Sequence, residues 1–282
     1  MTDAPTETTP QLDLDAYLTR IGWTGPRPPA PTVETLRAVH LAHVTSIPFE
    51  NLQPLLGSVP SLALPDLEAK LVRSRRGGYC YEQNSLLTAA LRALGYGVIG
   101  LAARVRAGAA PGAVRPRSHM VLLVEIPGET QRWIADVGFG AIGGLLAAVP
   151  FVTGTEFRAG NRHHRYIREP HPDGLEDLWV FQALRDGVWE DQYAFSREPF
   201  LPQDYAVINW HTATNPRSPF QHTLRAQRTF ADRHLQLIHR TLTETHPDGS
   251  VKERELTDND EVLRVLAADF GIDLPSDTVL PA

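Results

Sequence analysis

The chain has 282 residues, of which 42% are hydrophobic and 21% charged, with a formal net charge of −6. These values are ordinary for a globular protein and allow a large core. They argue against nucleic-acid binding, which needs a clustered basic surface, and no apolar run is long enough to predict a membrane-spanning helix. Residues 1–10 lack the basic start and apolar run of a secretory signal. We therefore expect a disordered lead-in, a cytoplasmic location and no membrane partner.

The first third of the chain has the apolar spacing of helices. The pattern predicts helices over residues 12–25, after a cap at Thr32, and over 64–74. Beyond Gly97 the pattern changes to β-rich runs bounded by Gly and Pro. Strands are predicted over residues 98–105, 118–126, 130–137, 165–168, 179–184, 223–229 and 235–243.

The end of the chain is mixed. Asp248-Gly249 predicts a hairpin turn, and Asp258 with Glu261 predicts the start of a last helix that ends at Gly271. Helices followed by strands and a mixed end are typical of an α+β protein.

Cys80 is the only cysteine, which excludes an intrachain disulfide. It follows Gly77-Gly78, which permit a tight turn, and it precedes an apolar run with helical spacing. At a helix N-terminus, unpaired N–H groups and the positive end of the helix dipole favour a thiolate and are suited to holding an oxyanion. Cys80 is therefore either a reactive nucleophile, which this context favours, or a buried inert thiol.

His119 and Asp136 are the candidate partners of this thiol. If the hairpin between their strands turns about the bond between Pro127 and Gly128, His119 and Asp136 face each other directly. A carboxylate in that place orients the imidazole and stabilises its protonated form. An odd-length loop would break this register, and His119 is alternatively a core histidine.

Two neighbouring motifs indicate support for such a site. Glu50 is suited to pair with Arg76 and brace the glycine turn, although an exposed Glu50 is the alternative reading. Gly138-Phe139-Gly140 follows Asp136 and is suited to bring backbone and an aromatic wall close to a substrate, although turns alone also explain Gly-x-Gly.

The histidine pair His163-His164 does not predict a metal site. Adjacent residues on a strand point to opposite faces, so the two imidazoles do not converge on one ion. No other spacing is typical of metal ligands, and we expect no metal.

Four motifs follow one another along the chain: Pro48 to Leu52, Arg76 to Glu82, Ser118-His119 and Asp136 to Gly140. Together they resemble the arylamine N-acetyltransferase family over most of the chain. Tyr79 and Tyr81 stand where many family members have Phe, and Gln83 replaces a frequent Leu, changes that are similar to actinobacterial members.

The resemblance implies an N-terminal helical domain over residues 1–96, a central antiparallel β-barrel over 97–210 and a C-terminal α/β lid over 211–282. It implies a catalytic core like that of cysteine proteases and transglutaminases. Matched by position, the catalytic triad is Cys80, His119 and Asp136.

The same resemblance implies acetyl-CoA as co-substrate and arylamines or arylhydrazines as acceptors, in a ping-pong reaction through an acetyl-cysteine. Phe139, Gly138 and Gly140 are the expected substrate and coenzyme contacts. Thr214 and Ser218, in a segment similar to one near the coenzyme in the family, complete that set.

Two rival functions remain open. One is a thiol hydrolase or transglutaminase-type acyltransferase that has the same triad and does not use CoA. The other is a catalytically silent protein that binds CoA esters or aromatic compounds. The sequence leaves the preferred amine, the site of the CoA adenine and the oligomeric state undetermined.

Overall fold

A computed structural model describes residues 10–74, 76–110, 112–171, 174 and 176–281. The lead-in predicted over residues 1–10 lies outside them, apart from its last residue. The helices are α1 (Leu14–Arg20), α2 (Val33–Ser46), α3 (Leu52–Leu55), α4 (Leu64–Leu67, continued as a π-helical segment over Glu68–Arg73), α5 (Cys80–Ala93), α6 (Pro202–Thr214) and α7 (Asn259–Val265, continued as a π-helical segment over Leu266–Phe270).

The strands form two separate antiparallel sheets. They are β1 (Phe49–Glu50), β2 (Gly97–Val105), β3 (Arg117–Glu125), β4 (Arg132–Ala135), β5 (Val149–Pro150), β6 (Glu156–Ala159), β7 (Arg162–Glu169), β8 (Leu178–Arg185), β9 (Val188–Phe200), β10 (Arg225–Thr229), β11 (His234–Ile238), β12 (Thr241–Thr245) and β13 (Val251–Glu255).

The predicted helix starts are present where a side chain can cap them. Thr32 accepts a hydrogen bond from the Thr35 backbone N–H at 3.2 Å, and Asp258 accepts from Glu261 at 2.8 Å. Each bond satisfies one of the N–H groups that a helix leaves free at its start. At the other end of the last helix, Gly271 adopts φ 70°, the left-handed conformation expected there.

The larger sheet has eight strands in the order β5-β4-β3-β2-β9-β8-β7-β6 and curls into a nearly closed barrel. Side chains alternate along its strands, so one set fills the barrel and the other packs against the N-terminal helices. On β3, Val121 and Leu123 belong to the inner core, whereas Met120, Leu122 and Val124 pack with α5. This arrangement confirms the predicted α+β class.

The second sheet joins distant parts of the chain. Its strand order is β1-β10-β11-β12-β13, so the short strand Phe49–Glu50 pairs with β10 near the C-terminus. A separate core, which includes Leu52 and Leu55 of α3, packs this sheet against α7. Because one strand from the first 96 residues belongs to this sheet, the division at residues 96 and 210 stays a prediction.

The predicted register of the β3–β4 hairpin is wrong by two residues. The strands pair Glu125 with Arg132 and end with Leu122 opposite Ala135, so the connection is centred beyond Gly128. Gly128 has φ 81° and Glu129 donates to the Ile126 carbonyl at 3.0 Å, as in a type II turn. Such a turn splays the strands, and pairing begins only farther along the chain.

Several strand predictions also missed a break or an element. The run predicted over 235–243 is two strands, β11 and β12, separated by a turn at His239, which has φ 52°. Strands β1, β5, β6, β9 and β13 were not predicted. Strand β13 has five exposed residues, so no buried face gives it an alternating pattern. The turn predicted at Asp248-Gly249 joins β12 to β13.

Candidate active site

Cys80 is the first residue of α5, as the helical spacing predicted. The turn before it needs glycine, because a Cβ at Gly77 would lie 1.9 Å from the Pro48 carbonyl oxygen. The Glu82 carboxylate accepts a hydrogen bond from the Tyr79 N–H at 3.1 Å and so caps the helix. The sulfur therefore lies at a helix start that is fixed by the glycine turn before it and by the Glu82 cap after it.

His119 and Asp136 meet directly although their strands do not pair them. The His119 Nε2 lies 2.7 Å from the Asp136 Oδ2. A shift of two residues leaves both side chains on the same face, so they contact each other as diagonal neighbours. The Cys80 thiol donates to the Ser118 carbonyl oxygen at 3.8 Å, and it lies near enough to the His119 imidazole to raise the pKa of that ring. Because Nε2 contacts the carboxylate, Nδ1 is the ring nitrogen left for the thiol.

These three side chains are almost excluded from solvent, with exposed fractions of 4%, 3% and 2% for Cys80, His119 and Asp136. Burial alone lowers the pKa of His119, but the charge and hydrogen bond of Asp136, followed by those of Cys80, raise that pKa to about 10. The imidazole in turn holds the pKa of Asp136 below its ordinary value despite its burial. The pair is therefore an imidazolium–carboxylate ion pair near neutral pH.

Two side chains that the sequence analysis did not select hold Asp136. Asn84 donates to its Oδ1 at 3.0 Å and accepts from the Val137 N–H at 3.1 Å. His40 accepts from the backbone N–H of Asp136 at 3.1 Å. Asn84 lies four residues after Cys80, on the same face of the helix. A polar amide on this otherwise apolar face is the sequence signal that could have identified it.

A buried ionic network lies behind the nucleophile. Arg76 contacts Glu50 at 2.7 Å, and Lys70 contacts Glu82 at 2.6 Å and Glu50 at 3.8 Å. Burial raises the pKa of Glu82 to about 7, against the opposing charge of Lys70. The network joins the second sheet, through β1, to the helix start that carries Cys80, which gives Glu50 and Arg76 a bracing position.

Phe139 and its two flanking glycines border the triad. The Phe139 ring lies 5.2 Å from the His119 ring in an edge-on arrangement, and Tyr193 covers the same imidazole at 5.1 Å. A Cβ at Gly138 would lie 2.6 Å from the Cys80 Cα, and one at Gly140 would overlap the Phe49 ring. The glycines therefore permit close packing here, and their contact with a substrate stays a prediction.

The structure does not bring Thr214 and Ser218 into the triad. The Thr214 hydroxyl donates to the Trp210 carbonyl at 2.7 Å within α6. The Ser218 hydroxyl accepts from the Phe220 N–H at 3.3 Å in a short 3-10 turn. Through Phe220, whose ring lies 5.7 Å from that of Tyr79, this segment packs beside the residue that precedes Cys80. Coenzyme binding by either hydroxyl stays a prediction.

Two cavities lie between the barrel and the second sheet, and the smaller one reaches the triad at Asp136. The larger has a volume of about 1450 Å³, and the smaller is a narrow cleft of about 40 Å³ that Asp136 and Phe139 line. Cys80 and His119 line neither cavity. Among the described residues, no group of three or more His, Cys, Asp or Glu side chains is arranged to hold a metal ion, and no helix is both long and apolar enough to cross a membrane.

Comparisons of the sequence with known proteins all point to one family. Residues 32–279 match a family model described as N-acetyltransferase. The arylamine N-acetyltransferase of Mycolicibacterium smegmatis is 39% identical, covering 93% of this chain and 93% of that protein.

Solved structures agree. The Nocardia farcinica arylamine N-acetyltransferase has a TM-score of 0.87 at 42% identity, covering 97% of this chain and 95% of its own. The Mycobacterium marinum arylamine N-acetyltransferase in complex with CoA has a TM-score of 0.85 at 35% identity, covering 92% and 93%. The resemblance drawn from the four motifs is confirmed, and the chain belongs to the arylamine N-acetyltransferase family.

Proposed function

We propose that this enzyme transfers the acetyl group of acetyl-CoA to the nitrogen of an arylamine or arylhydrazine, through an acetyl-cysteine on Cys80. The observation that carries the proposal is the burial together of Cys80, His119 and Asp136, with His119 bound to Asp136 and the thiol near enough to the imidazole to raise its pKa. A binding protein gains nothing from a buried imidazolium held against a lone thiol at a helix start. The CoA bound by the related Mycobacterium marinum enzyme supports CoA as the carrier.

In the first half-reaction the Cys80 thiolate attacks the acetyl carbonyl carbon and forms a C–S bond. Free N–H groups in the first turn of α5 stabilise the oxyanion, and the tetrahedral intermediate collapses by breaking its bond to the CoA sulfur. His119 supplies the proton with which CoA leaves as a thiol. Asp136 keeps the imidazole ring oriented throughout.

In the second half-reaction the amine nitrogen attacks the acetyl-cysteine. His119, now neutral, accepts a proton from the nitrogen as the C–N bond forms, and the Cys80 sulfur departs as the thiolate. The small exposed fraction of the triad limits attack by water on the thioester. Phe139, beside His119, is the proposed wall for the flat ring of the amine.

The test is a two-substrate steady-state assay with a panel of arylamines and hydrazines. The proposal predicts parallel lines in double-reciprocal plots, because CoA leaves before the amine binds, and no turnover by Cys80→Ala. Intersecting lines, or amide hydrolysis that proceeds without acetyl-CoA, would favour the thiol hydrolase or transglutaminase alternative. Activity that survives Cys80→Ser would favour a role without this nucleophile. The cytoplasmic location stays a prediction from the sequence.

A further inference from the structure

Arg162 lies at the start of β7 and borders both cavities. Among the described residues, three line the large cavity and the narrow cleft alike, namely Ala141, Arg162 and His234. Arg162 is partly exposed. It therefore lies where the large cavity adjoins the cleft that Phe139 also lines.

The hydrogen-bond partners of Arg162 are all neutral. It donates to the Gly144 carbonyl at 2.8 Å and lies 3.4 Å from both the Thr229 hydroxyl and the His234 Nδ1. Burial, followed by the charge of Arg162, lowers the pKa of His234 to about 3, so this imidazole is uncharged near neutral pH. Burial also lowers the pKa of Arg162 to about 10.

Two other arginines of the large cavity are paired with carboxylates, unlike Arg162. Arg106 pairs with Glu169 and with Asp191, and Arg185 lies 3.9 Å from Glu190. No carboxylate pairs with Arg162 among the described residues. Arg104 and Arg115 donate only to carbonyls of the described chain, but they line the large cavity alone and not the narrow cleft.

We propose that Arg162 binds a carboxylate at the end of the acceptor remote from its amine, so that the enzyme prefers anionic arylamines. A planar guanidinium matches a carboxylate in shape and charge, and the pairing offsets the cost of partial burial. With its ring against Phe139, such an acceptor has its amine towards the triad and its carboxylate towards Arg162. This inference rests on the proposed function, since it concerns the acceptor of that reaction.

A substrate carboxylate has a second possible source, an acyl donor with an acidic end such as malonyl-CoA. The geometry favours the acceptor. Cys80 and His119 line neither cavity, and Phe139 lies between His119 and the narrow cleft. The proposal therefore places a short acyl group on the triad side of Phe139 and the aromatic ring of the acceptor along the cleft towards Arg162.

The test compares 4-aminobenzoate with its neutral isostere 4-aminobenzamide at saturating acetyl-CoA. We expect Arg162→Met to lower the kcat/KM ratio of the charged to the neutral amine about tenfold or more, mainly through KM. Arg162→Lys keeps the positive charge but loses the planar guanidinium that can bind both carboxylate oxygens, so it should give an intermediate ratio. Arg185→Met, a paired arginine of the same cavity, should leave the ratio unchanged.

A purely structural role would give a different result. Arg162 also holds the Gly144 carbonyl, so loss of that support alone would lower kcat/KM equally for both amines and overturn the proposal. A change in the ratio with Arg104→Met instead of Arg162→Met would also overturn it. So would a preference for malonyl-CoA over acetyl-CoA that depends on Arg162 when the amine is neutral.

A measurement on the unmodified enzyme keeps the proposal testable if Arg162→Met does not fold. Benzoate should raise the melting temperature, and benzamide should not; equal effects would overturn the proposal. Acetylation of Cys80 by acetyl-CoA alone needs no acceptor, so its absence would refute the proposed function separately. The benzoate result would still decide what Arg162 binds.

Discussion

Two arginines at opposite ends of the site have contrasting partners. Arg76, behind the nucleophile, contacts the buried carboxylate of Glu50, whereas the hydrogen-bond partners of Arg162 within the described chain are a carbonyl, a hydroxyl and an imidazole. A charge that is paired within the protein fixes local geometry, and one with neutral partners is available to a ligand. On this account the nucleophile end is preorganised by its own charges, and the acceptor end is completed by the substrate.

The largest effect on activity is expected at the triad, where Asp136 is paired with His119. Asp136→Asn keeps the shape of the side chain but removes the charge that favours the His119 imidazolium. We expect kcat to fall by about 10⁴, the size found when a triad aspartate is replaced in this way. Steady-state kinetics measures it, with Asp258→Asn, a remote helix cap, as the matched control. A loss of less than about tenfold would contradict the role given to Asp136.

The ionic network behind Cys80 should matter for stability. Arg76→Met leaves the buried Glu50 with the Leu52 N–H and, as its remaining cation, the more distant Lys70, so we expect a loss of about 3 kcal/mol in the free energy of unfolding. Arg117→Met breaks an ion pair with the mostly exposed Glu198 and should cost less than about 1 kcal/mol. Urea unfolding compares the two variants. Equal losses would remove the distinction between a buried and a surface pair.

The His119–Asp136 pair also predicts how stability depends on pH. Because the pKa of Asp136 is lowered, its contribution is present above the ordinary value of 3.8 and is lost as the pH falls through the folded value. Because the pKa of His119 rises from 6.5 to about 10, its contribution is full below 6.5 and is lost as the pH rises through about 10. The pair stabilises most between these limits.

The difference in melting temperature between the wild type and Asp136→Asn isolates this contribution. It should be largest near pH 4 to 6.5, in the window that these pKa shifts define, and decrease towards pH 10. The Glu82 carboxyl, whose pKa is raised to about 7, titrates in both proteins and cancels in the difference. A difference that does not vary with pH would mean that the two side chains are not an ion pair.

The smallest effect is expected at Ser218. If its hydroxyl contacts the coenzyme, as the motif predicts, Ser218→Ala should raise the KM for acetyl-CoA about three- to tenfold and leave kcat unchanged. The hydroxyl also caps a short turn at Phe220, so a structural role alone would lower the melting temperature without changing this KM. Thr214→Ser, which keeps a hydroxyl, is the control.

The fold was predictable where local physics determines it. Thr32, Asp258 and Gly271 mark helix ends through their own side chain or backbone freedom, and the barrel strands have buried faces. The register of the β3–β4 hairpin was not predictable, because it depends on how far the Pro127-Gly128 turn splays its strands. The pairing of Phe49–Glu50 with β10 depends on residues far away in sequence.

The residues of the candidate site show the same distinction between features that local sequence determines and features that depend on distant contacts. The place of Cys80 at a helix start was predictable from its glycine turn and the apolar spacing after it, and the ion pair of Glu50 with Arg76 from their opposite charges. Asn84 had one weak local signal, an amide one turn after Cys80 on an otherwise apolar helix face, whereas Arg162 had none because a polar residue on a strand is ordinary. Their contacts arise only when separate elements pack together.

Peptide mass spectrometry of the protein after incubation with acetyl-CoA, without an amine, tests the central claim most directly. The account predicts close to one acetyl group per chain, located on Cys80, and its removal when an arylamine is added. It also predicts that Cys80→Ala gains none. No acetyl group on Cys80, or an acetyl group there that an arylamine does not remove, would contradict transfer through this cysteine.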